Sequence, residues 1–279
     1  MQKLPLSVVI LTCNEVDNLT ACLDSLATVT DDVHVVDSGS TDGTVALAQQ
    51  RGVAVQCHSF EGFGSQRNWA IDHLDHQYPW VFHLDADEQF TPELAAEIES
   101  VLQRNDSTVG YYVANRLMLG GRWLRYAGNY PTYQLRLFRW DAVRFENHGH
   151  GQREVTEGPL GYLRQPYVHY GFSKGMEAWF RKHAGYARDE ARQAVAQQRP
   201  LVHEIVQCVA RDRVVRRRAW KAVSYRLPMR SALRWLHTMV LKRGLLDGRA
   251  GWTYARMLAI YEAMIAVEIE AVRQTQGRF

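Results

Sequence analysis

The apolar positions near the N-terminus switch between two periods. Leu6-Ser7-Val8-Val9-Ile10-Leu11 is apolar and β-branched almost throughout, the pattern of a strand buried on both faces in a parallel sheet. Leu19, Cys22, Leu23 and Leu26 then recur at helical spacing. Residues 32–37 predict a second strand, 45–50 a helix closed by Gly52 as its C-cap, and 53–57 a third strand. A loop over 62–68 leads into a helix over 69–74, and 78–84 is the fourth strand. Thr91 and Pro92 then read as an N-cap and the first helical position of the next helix. Strand–helix alternation with short loops predicts an α/β fold, a mostly parallel sheet with helices on both faces. Further strands are expected at 109–114, 133–138 and 167–170. From 172 onward the period is helical: Ser173 is a candidate N-cap, Pro200 interrupts, a helix resumes over 201–220, and a long one covers 252–272. Two domains are therefore expected, 1–172 and 173–279.

In such sheets ligands sit beyond the carboxyl ends of the strands. Polar residues gather there: Thr12, Asn14 and Glu15 after the first strand, Asp37 to Thr44 after the second, Asp85, Asp87 and Glu88 after the fourth. Each group has a plainer explanation. Asn14 can cap a helix, 38–44 can be only a turn, and the acids can be a solvated turn. Their convergence on one edge favours a site. Neighbouring carboxylates repel unless a cation is held among them. In an extended chain Asp85 and Asp87 share a face and would grip one ion. No G-x-x-x-x-G-K-[ST] is present, and no G-x-G-x-x-G follows the first strand. A nucleotide would be held otherwise, with Asp37 accepting from a ribose hydroxyl or base N–H and a divalent ion at Asp87 neutralising a diphosphate.

Composition narrows this little. The 279 residues carry a formal net charge of +3, with 46% hydrophobic and 23% charged residues. The four cysteines show no C-x-x-C spacing, which points away from zinc or disulfides and towards a reducing cytosol. No signal-peptide pattern and no run of about 20 apolar residues is seen. The distribution of charge matters more. Between Arg211 and Arg256 arginine and lysine crowd together, with Asp212 and Asp247 the only acids, and Trp220, Leu233, Trp235, Leu241 and Trp252 are interleaved. Such helices suit the headgroup region of an anionic bilayer. The alternative is a helical subdomain with a solvated basic face. Nucleic acid ranks last, since no recognised nucleic-acid module is present.

Four blocks in order resemble family 2 glycosyltransferases with the GT-A fold: Val8-Val9-Ile10-Leu11-Thr12-Cys13-Asn14-Glu15, Val35-Val36-Asp37-Ser38-Gly39-Ser40-Thr41-Asp42-Gly43-Thr44, Gln66-Arg67-Asn68, and Leu84-Asp85-Ala86-Asp87-Glu88. The resemblance covers about residues 6–172 and is strongest to the lipopolysaccharide-core β-glucosyltransferase subgroup, which works on cell-envelope glycans. It implies a GT-A domain followed by a helical region, a nucleotide-sugar donor (UDP-linked), Mg²⁺ or Mn²⁺, and inversion at the anomeric carbon. By position, Thr12, Asn14, Glu15 and Asp37 would line the uridine site, with Ser38 in the same donor-binding set. Arg67 would lie near the base or ribose, Asp85 would face the ribose or donor sugar, and Asp87 would ligate the metal.

Inverting transfer needs a base for the acceptor hydroxyl and an electrophile for the leaving diphosphate. Glu154 is the candidate base, with Glu88 and Glu157 as rivals. Related enzymes show His-Glu here; this chain has Arg153-Glu154, with His148 and His150 upstream. His169 would complete the metal shell or touch phosphate, unless it is structural. Arg136 and Arg139 are expected on one sheet face, meeting phosphate or solvent, with Arg136 counted among the donor-binding residues. The expected partners are a nucleotide sugar, a glycan or glycolipid acceptor, an anionic membrane surface at the inner face of the cytoplasmic membrane, and a second copy of the chain; nucleic acid is not expected. Rival functions are a polyprenyl-phosphate sugar synthase and a non-catalytic sugar-nucleotide-binding protein.

Overall fold

The structure, a computed structural model, describes residues 3–104, 106–148, 151–196, 200–227 and 229–275. Contacts divide the chain into two units, 1–121 with 130–173, and 122–129 with 174–279.

The first unit opens with β1 (Ser7–Thr12), α1 (Val16–Leu26), β2 (Asp32–Asp37), α2 (Thr44–Gln50), β3 (Ala54–Cys57), α3 (Phe63–His73), β4 (Trp80–Asp85), β5 (Glu88–Gln89), α4 (Pro92–Leu102) and β6 (Gly110–Leu119). A two-residue strand, β7 (Arg122–Trp123), falls in the stretch that groups with the second unit. The first unit continues with β8 (Tyr133–Arg139), β9 (Arg144–His148), β10 (Gly151–Val155), β11 (Leu160–Tyr162) and β12 (Tyr167–His169). The sheet order is β3-β2-β1-β4-β8-β6-β12-β5, with β11 also on β6, and β9 and β10 form a separate antiparallel hairpin. β3, β2, β1 and β4 run parallel, while β8 runs antiparallel to β4 and β6. The parallel strands follow the alternating pattern, and the antiparallel β8 makes the sheet mixed, as the resemblance to GT-A enzymes implies.

Both sheet faces are buried. Val8, Ile10, Leu84, Leu19 and Leu94 belong to one core, beneath α1 and α4; Val9, Val36, Val81, Ala70 and Ile71 belong to the other, beneath α3. Residues alternating along one strand thus feed two cores, which is why these strands read as unbroken apolar runs. The Thr91 cap holds: its Oγ1 accepts from Leu94 N at 3.1 Å with Pro92 at the first helical position. α2 is capped by Arg51, one residue before the expected Gly52, which follows at a φ of +71°.

One reading of the first unit is corrected, and another holds for a different reason. α3 begins at Phe63, inside what the glycines mark as a loop. Gly64 belongs there because a Cβ would stand 2.7 Å from the Glu146 backbone. Residues three apart on a regular strand also face opposite ways, so Arg136 and Arg139 need a reason to share a face. Tyr111 pairs with Leu137 but Tyr112 with Leu135, leaving Arg136 as the extra residue of a bulge. The bulge turns Arg136 towards Tyr167, in the core that also takes Trp80, the partner of Arg139.

The second unit is helical: α5 (Gly175–Ala196), α6 (Leu201–Gln207), α7 (Arg213–Ser224), α8 (Arg230–Leu236), a π-turn at His237–Leu241, a 3₁₀ turn at Gly244–Asp247, and α9 (Gly248–Thr275). Ala187, Ala191 and Val195 of α5 pack on Ile265 and Ile269 of α9. Glu190 accepts from Tyr225 Oη at 2.5 Å and Tyr261 Oη at 3.1 Å. The buried Asp247 carboxylate accepts from Tyr126 N at 3.0 Å and Ala127 N at 2.7 Å, fixing 122–129 to this unit. α5 starts at Gly175, so Ser173 lies in the preceding turn instead of at the N-cap. The single helix expected over 201–220 is broken: α7 restarts after Asp212, whose Oδ1 accepts from Val215 N at 3.2 Å. Among the described residues, no helix is long and apolar enough to cross a membrane.

Candidate functional site

The parallel register sets Thr12 opposite Asp37 at the ends of β1 and β2. Thr12 Oγ1 donates to Asp37 Oδ1 at 2.8 Å, and Ser40 Oγ to the same oxygen at 2.5 Å. Asp37 Oδ2 accepts from Gly39 N at 3.0 Å and Ser40 N at 2.8 Å. A carboxylate has about four acceptor positions. All are filled, and Asp37 is 1% exposed. Its expected contact with a ribose or base would need one of these bonds to be given up. In this structure Asp37 shapes the loop.

The other residues of this edge interlock. Asn14, at a φ of +55°, donates from its backbone N to Ser40 Oγ at 2.7 Å and accepts from Thr41 N at 2.8 Å on Oδ1. It ties two loops together and does not cap α1. Glu15 N donates to Thr44 Oγ1 at 2.8 Å, and Glu15 Oε2 accepts from Asn18 Nδ2 at 2.7 Å. Ser38 Oγ accepts from Gln66 Nε2 at 3.1 Å.

The end of β4 is a charged pole. Asp85 Oδ1 accepts from Arg67 Nη2 at 3.2 Å, and Asp85 Oδ2 from Arg136 Nη2 at 3.1 Å. Arg136 Nη2 also donates to Glu88 Oε1 at 2.6 Å, and Asp85 N to Glu88 Oε2 at 2.9 Å. Burial works against ionised Asp85, but Arg136 and Arg67 outweigh it and hold its carboxyl well below the usual range. Burial pushes Glu88 up to about 7, against the pull of Arg136. Burial also brings the Arg67 guanidinium down to about 10. Arg67 Nη1 is buried with no hydrogen-bond partner among the described residues, an unspent donor at the pole.

The shared face expected for Asp85 and Asp87 is not formed, because Ala86 and Asp87 make a turn between β4 and β5. Asp87 faces His169 instead. β12 pairs with β5 so that His169 stands opposite Glu88, and Tyr170 N donates to Asp87 O at 2.8 Å. His169 Nε2 lies 3.3 Å from Asp87 Oδ2. Burial disfavours the imidazolium, but the hydrogen bond and charge of Asp87, with Glu88 and Asp85 behind it, push His169 up to about 9. Among the described residues, no group of three or more His, Cys, Asp or Glu is gathered to hold an ion.

The Gln66-Arg67-Asn68 block is a junction. Gln66 reaches Ser38, and Arg67 reaches Asp85 and donates from Nε to Gln152 Oε1 at 2.7 Å. Asn68 Nδ2 donates to Phe145 O at 2.8 Å, and its Oδ1 accepts from Phe145 N at 2.9 Å. Asn147 of β9 accepts from Gly64 N at 2.9 Å, capping α3 from another element. Glu154 lies two residues beyond Gln152 on the same face of β10 and accepts a short hydrogen bond from Tyr112 Oη. Burial and that bond push the Tyr112 phenol up.

Asp85, Asp87, Glu88, Arg67, Arg136 and His169 thus meet at one pole, with Thr12, Asn14, Glu15, Asp37 and Ser38 on the adjoining strand ends. Glu154 stands apart, against Tyr112. The two rival bases are placed differently. Glu88 is 1% exposed and bound to Arg136. Glu157 precedes β11, whose Leu160 pairs with Gly110 at the far end of the sheet from Asp85. Arg136, 1% exposed, does not lie in solvent; its guanidinium bonds Asp85, Glu88, the His83 carbonyl and Tyr167 Oη. His148 is an exposed end of β9, and His150 lies outside the described residues. Gln152 and Asn147 were not singled out by sequence, since their partners lie on α3, more than eighty positions away.

Residues 7–153 match the profile described as Glycosyl transferase family 2. The chain belongs to that family. Among curated proteins it is 33% identical to the lipopolysaccharide core biosynthesis glycosyltransferase LpsC of Rhizobium meliloti over 168 residues, 58% of this chain and 61% of that one. It is 34% identical to an uncharacterised glycosyltransferase of Rickettsia conorii over 115 residues, 40% of each. These matches thus span less than two thirds of either relative. Of solved structures, S. aureus TarS 1–349 aligns over 98% of this chain and 92% of its own at 16% identity and a TM-score of 0.42. Mycobacterium tuberculosis glucosyl-3-phosphoglycerate synthase, solved with Mn²⁺, UDP-glucose and phosphoglyceric acid, aligns over 41% and 44% at 21% identity and a TM-score of 0.35.

Proposed function

We propose that the chain is an inverting glycosyltransferase. It moves a sugar from a nucleotide donor, UDP-linked, to a lipopolysaccharide-core or related envelope glycan at an anionic membrane surface. The observation that carries this is the pole where Asp87 and His169 stand together, 26% and 29% exposed, beside the buried arginines. The Asp87 carboxylate fits Mg²⁺ or Mn²⁺, which is characteristically held by one or two carboxylates and completes its shell with phosphate oxygens and water. His169 would join the shell only on giving up the proton it holds against Asp87. Bound there, the ion would supply positive charge for the departing diphosphate. Membership of the family and the likeness to a lipopolysaccharide core glycosyltransferase support the donor and acceptor classes.

In the displacement, the acceptor oxygen bonds to the anomeric carbon while the bond from that carbon to the diphosphate oxygen breaks. The electron pair leaves on the diphosphate, and the acceptor proton passes to a base, for which Glu154 is our candidate. Arg67 and Arg136 hold Asp85 ionised and fix the backbone before Asp87. The decisive experiment is a melting-temperature panel of nucleotide sugars with and without Mn²⁺. A ligand at a hundred times its Kd stabilises by about 2.7 kcal/mol. A rise with UDP-sugars that depends on the metal is expected; no rise with any nucleotide sugar sinks the reading.

The membrane surface is assigned to the second unit. Met229 is 76% and Leu241 75% exposed, with Leu236, Leu245 and Leu246 also open and the exposed Arg243 and Arg249 between and beyond them. Apolar side chains bordered by cations suit the boundary of an anionic bilayer. Leu241→Asp with Leu245→Asp, and separately Arg216→Glu with Arg217→Glu, should each release the protein from phosphatidylglycerol vesicles. Each cation near such a surface contributes about 1 kcal/mol. Unchanged co-sedimentation of both variants would refute the assignment.

A further inference from the structure

Three tyrosine rings meet beside Glu154. Tyr112 on β6 and Tyr162 on β11 are register partners, and their rings stack with centroids 5.0 Å apart and planes at 24°. Tyr133, the first residue of β8, meets Tyr162 at 84°, also with centroids 5.0 Å apart. Tyr112 is half-buried, but Tyr133 is 41% and Tyr162 62% exposed. Core packing therefore does not account for the outer rings. Tyr112 Oη donates to Glu154 Oε1, while Glu154 Oε2 accepts no hydrogen bond among the described residues. Gln152 lies one strand repeat away, about 7 Å, where it holds Arg67 against Asp85. The ring cluster is thus tied to the charged pole through one strand.

The chemistry of the cluster selects its ligand. Open aromatic faces beside a carboxylate suit a molecule with an apolar face and hydroxyl donors at its rim. A pyranose ring has both. A phosphate would be repelled by Glu154, and a purely apolar chain would leave the carboxylate unpaired. We infer that Tyr162, Tyr133 and Glu154 form an acceptor subsite that stacks a neutral pyranose ring on the exposed tyrosines and takes its hydroxyls on Glu154. The inference rests on the glycan-transfer reading and adds the place where the glycan sits.

The test uses the full chain with UDP and Mn²⁺, and lipid-free core oligosaccharide from lipopolysaccharide as the probe, with Kd read by calorimetry and contacts by saturation-transfer NMR. Tyr162→Ala should raise the oligosaccharide Kd about tenfold. Tyr162→Phe should stay within about twofold, because the ring and not its hydroxyl makes the contact. The Kd for UDP in the same samples reports whether the fold is intact. An unchanged oligosaccharide Kd in both Tyr162→Ala and Tyr133→Ala overturns the subsite, as does absence of saturation transfer to the wild type. Tetramethylammonium bound in place of saccharide would mark a cation site instead. A change of oligomeric state in Tyr162→Ala, with the saccharide Kd unchanged, would mark a contact between copies. If the variants bind saccharide normally while nucleotide sugars still raise the wild-type melting temperature, the subsite fails and the transferase reading stands. If no nucleotide sugar binds but saccharide contact through Tyr162 persists, the reverse holds.

Discussion

Replacing Asp87 by alanine is expected to lower sugar transfer by about a thousandfold, the scale seen when a preorganised charge-stabilising group is removed. It should also abolish the metal dependence of donor binding. The fold should survive, because the structural bond of this residue is made by its backbone: Tyr170 N donates to the carbonyl, which alanine keeps. Among the described residues its side chain pairs with His169, 3.3 Å away. The informative measurement is UDP affinity with and without Mn²⁺ in wild type and variant. Equal metal-dependent affinity in the two would show that Asp87 holds no ion. Glu154→Gln is the companion variant. It should bind donor normally and lose transfer, since an amide cannot take up the acceptor proton. Normal turnover in it removes Glu154 from the reaction.

The second large effect concerns stability. Arg136→Met keeps bulk but leaves Glu88, 1% exposed, without its cation. Breaking a buried ion pair from one side costs about 3–5 kcal/mol, which corresponds to a fall in melting temperature of roughly 10 °C for a domain of this size. Adding Glu88→Gln should restore most of it, because the stranded charge is gone. The loss should also grow with pH. Glu88 is already held at about 7 in the native chain by burial, and without Arg136 it rises further. The native state then keeps a proton that the unfolded chain releases near 4.3. That contribution is whole below the unfolded value and disappears as pH climbs through the native one. A destabilisation that is the same at pH 5 and pH 8 would show that Glu88 does not bear the unpaired charge.

Much of the first unit can be read from sequence because β1, β2 and β4 are buried on both faces. Their apolar runs have no competing reading, and the polar residues that end them mark the ligand edge. The hairpin of β9 and β10 cannot be read that way. Phe145 is the one buried residue of β9, and every described position of β10 is at least partly exposed, so no apolar face repeats with period two. β11 is three residues long. The break before α7 did carry a signal, Asp212 at an N-cap position, but no proline or glycine announces it.

The site divides similarly. Asp85, Asp87 and Glu88 are evident as a cluster, but which of them is free is decided across the fold. Arg136 reaches the acids only because a bulge re-aims it, and bulges leave no mark in composition. Asp37 looks like a ligand group because it is an acid at a strand end. Only the structure shows its oxygens filled by Thr12, Gly39 and Ser40.

The double hydrogen bond of Asn68 to Phe145 and the cap supplied by Asn147 make α3 and the hairpin one rigid piece. The arginine at the charged pole and the carboxylate beside the tyrosines therefore ride on a common support. A change that tilts α3 thus moves Arg67 and Glu154 together.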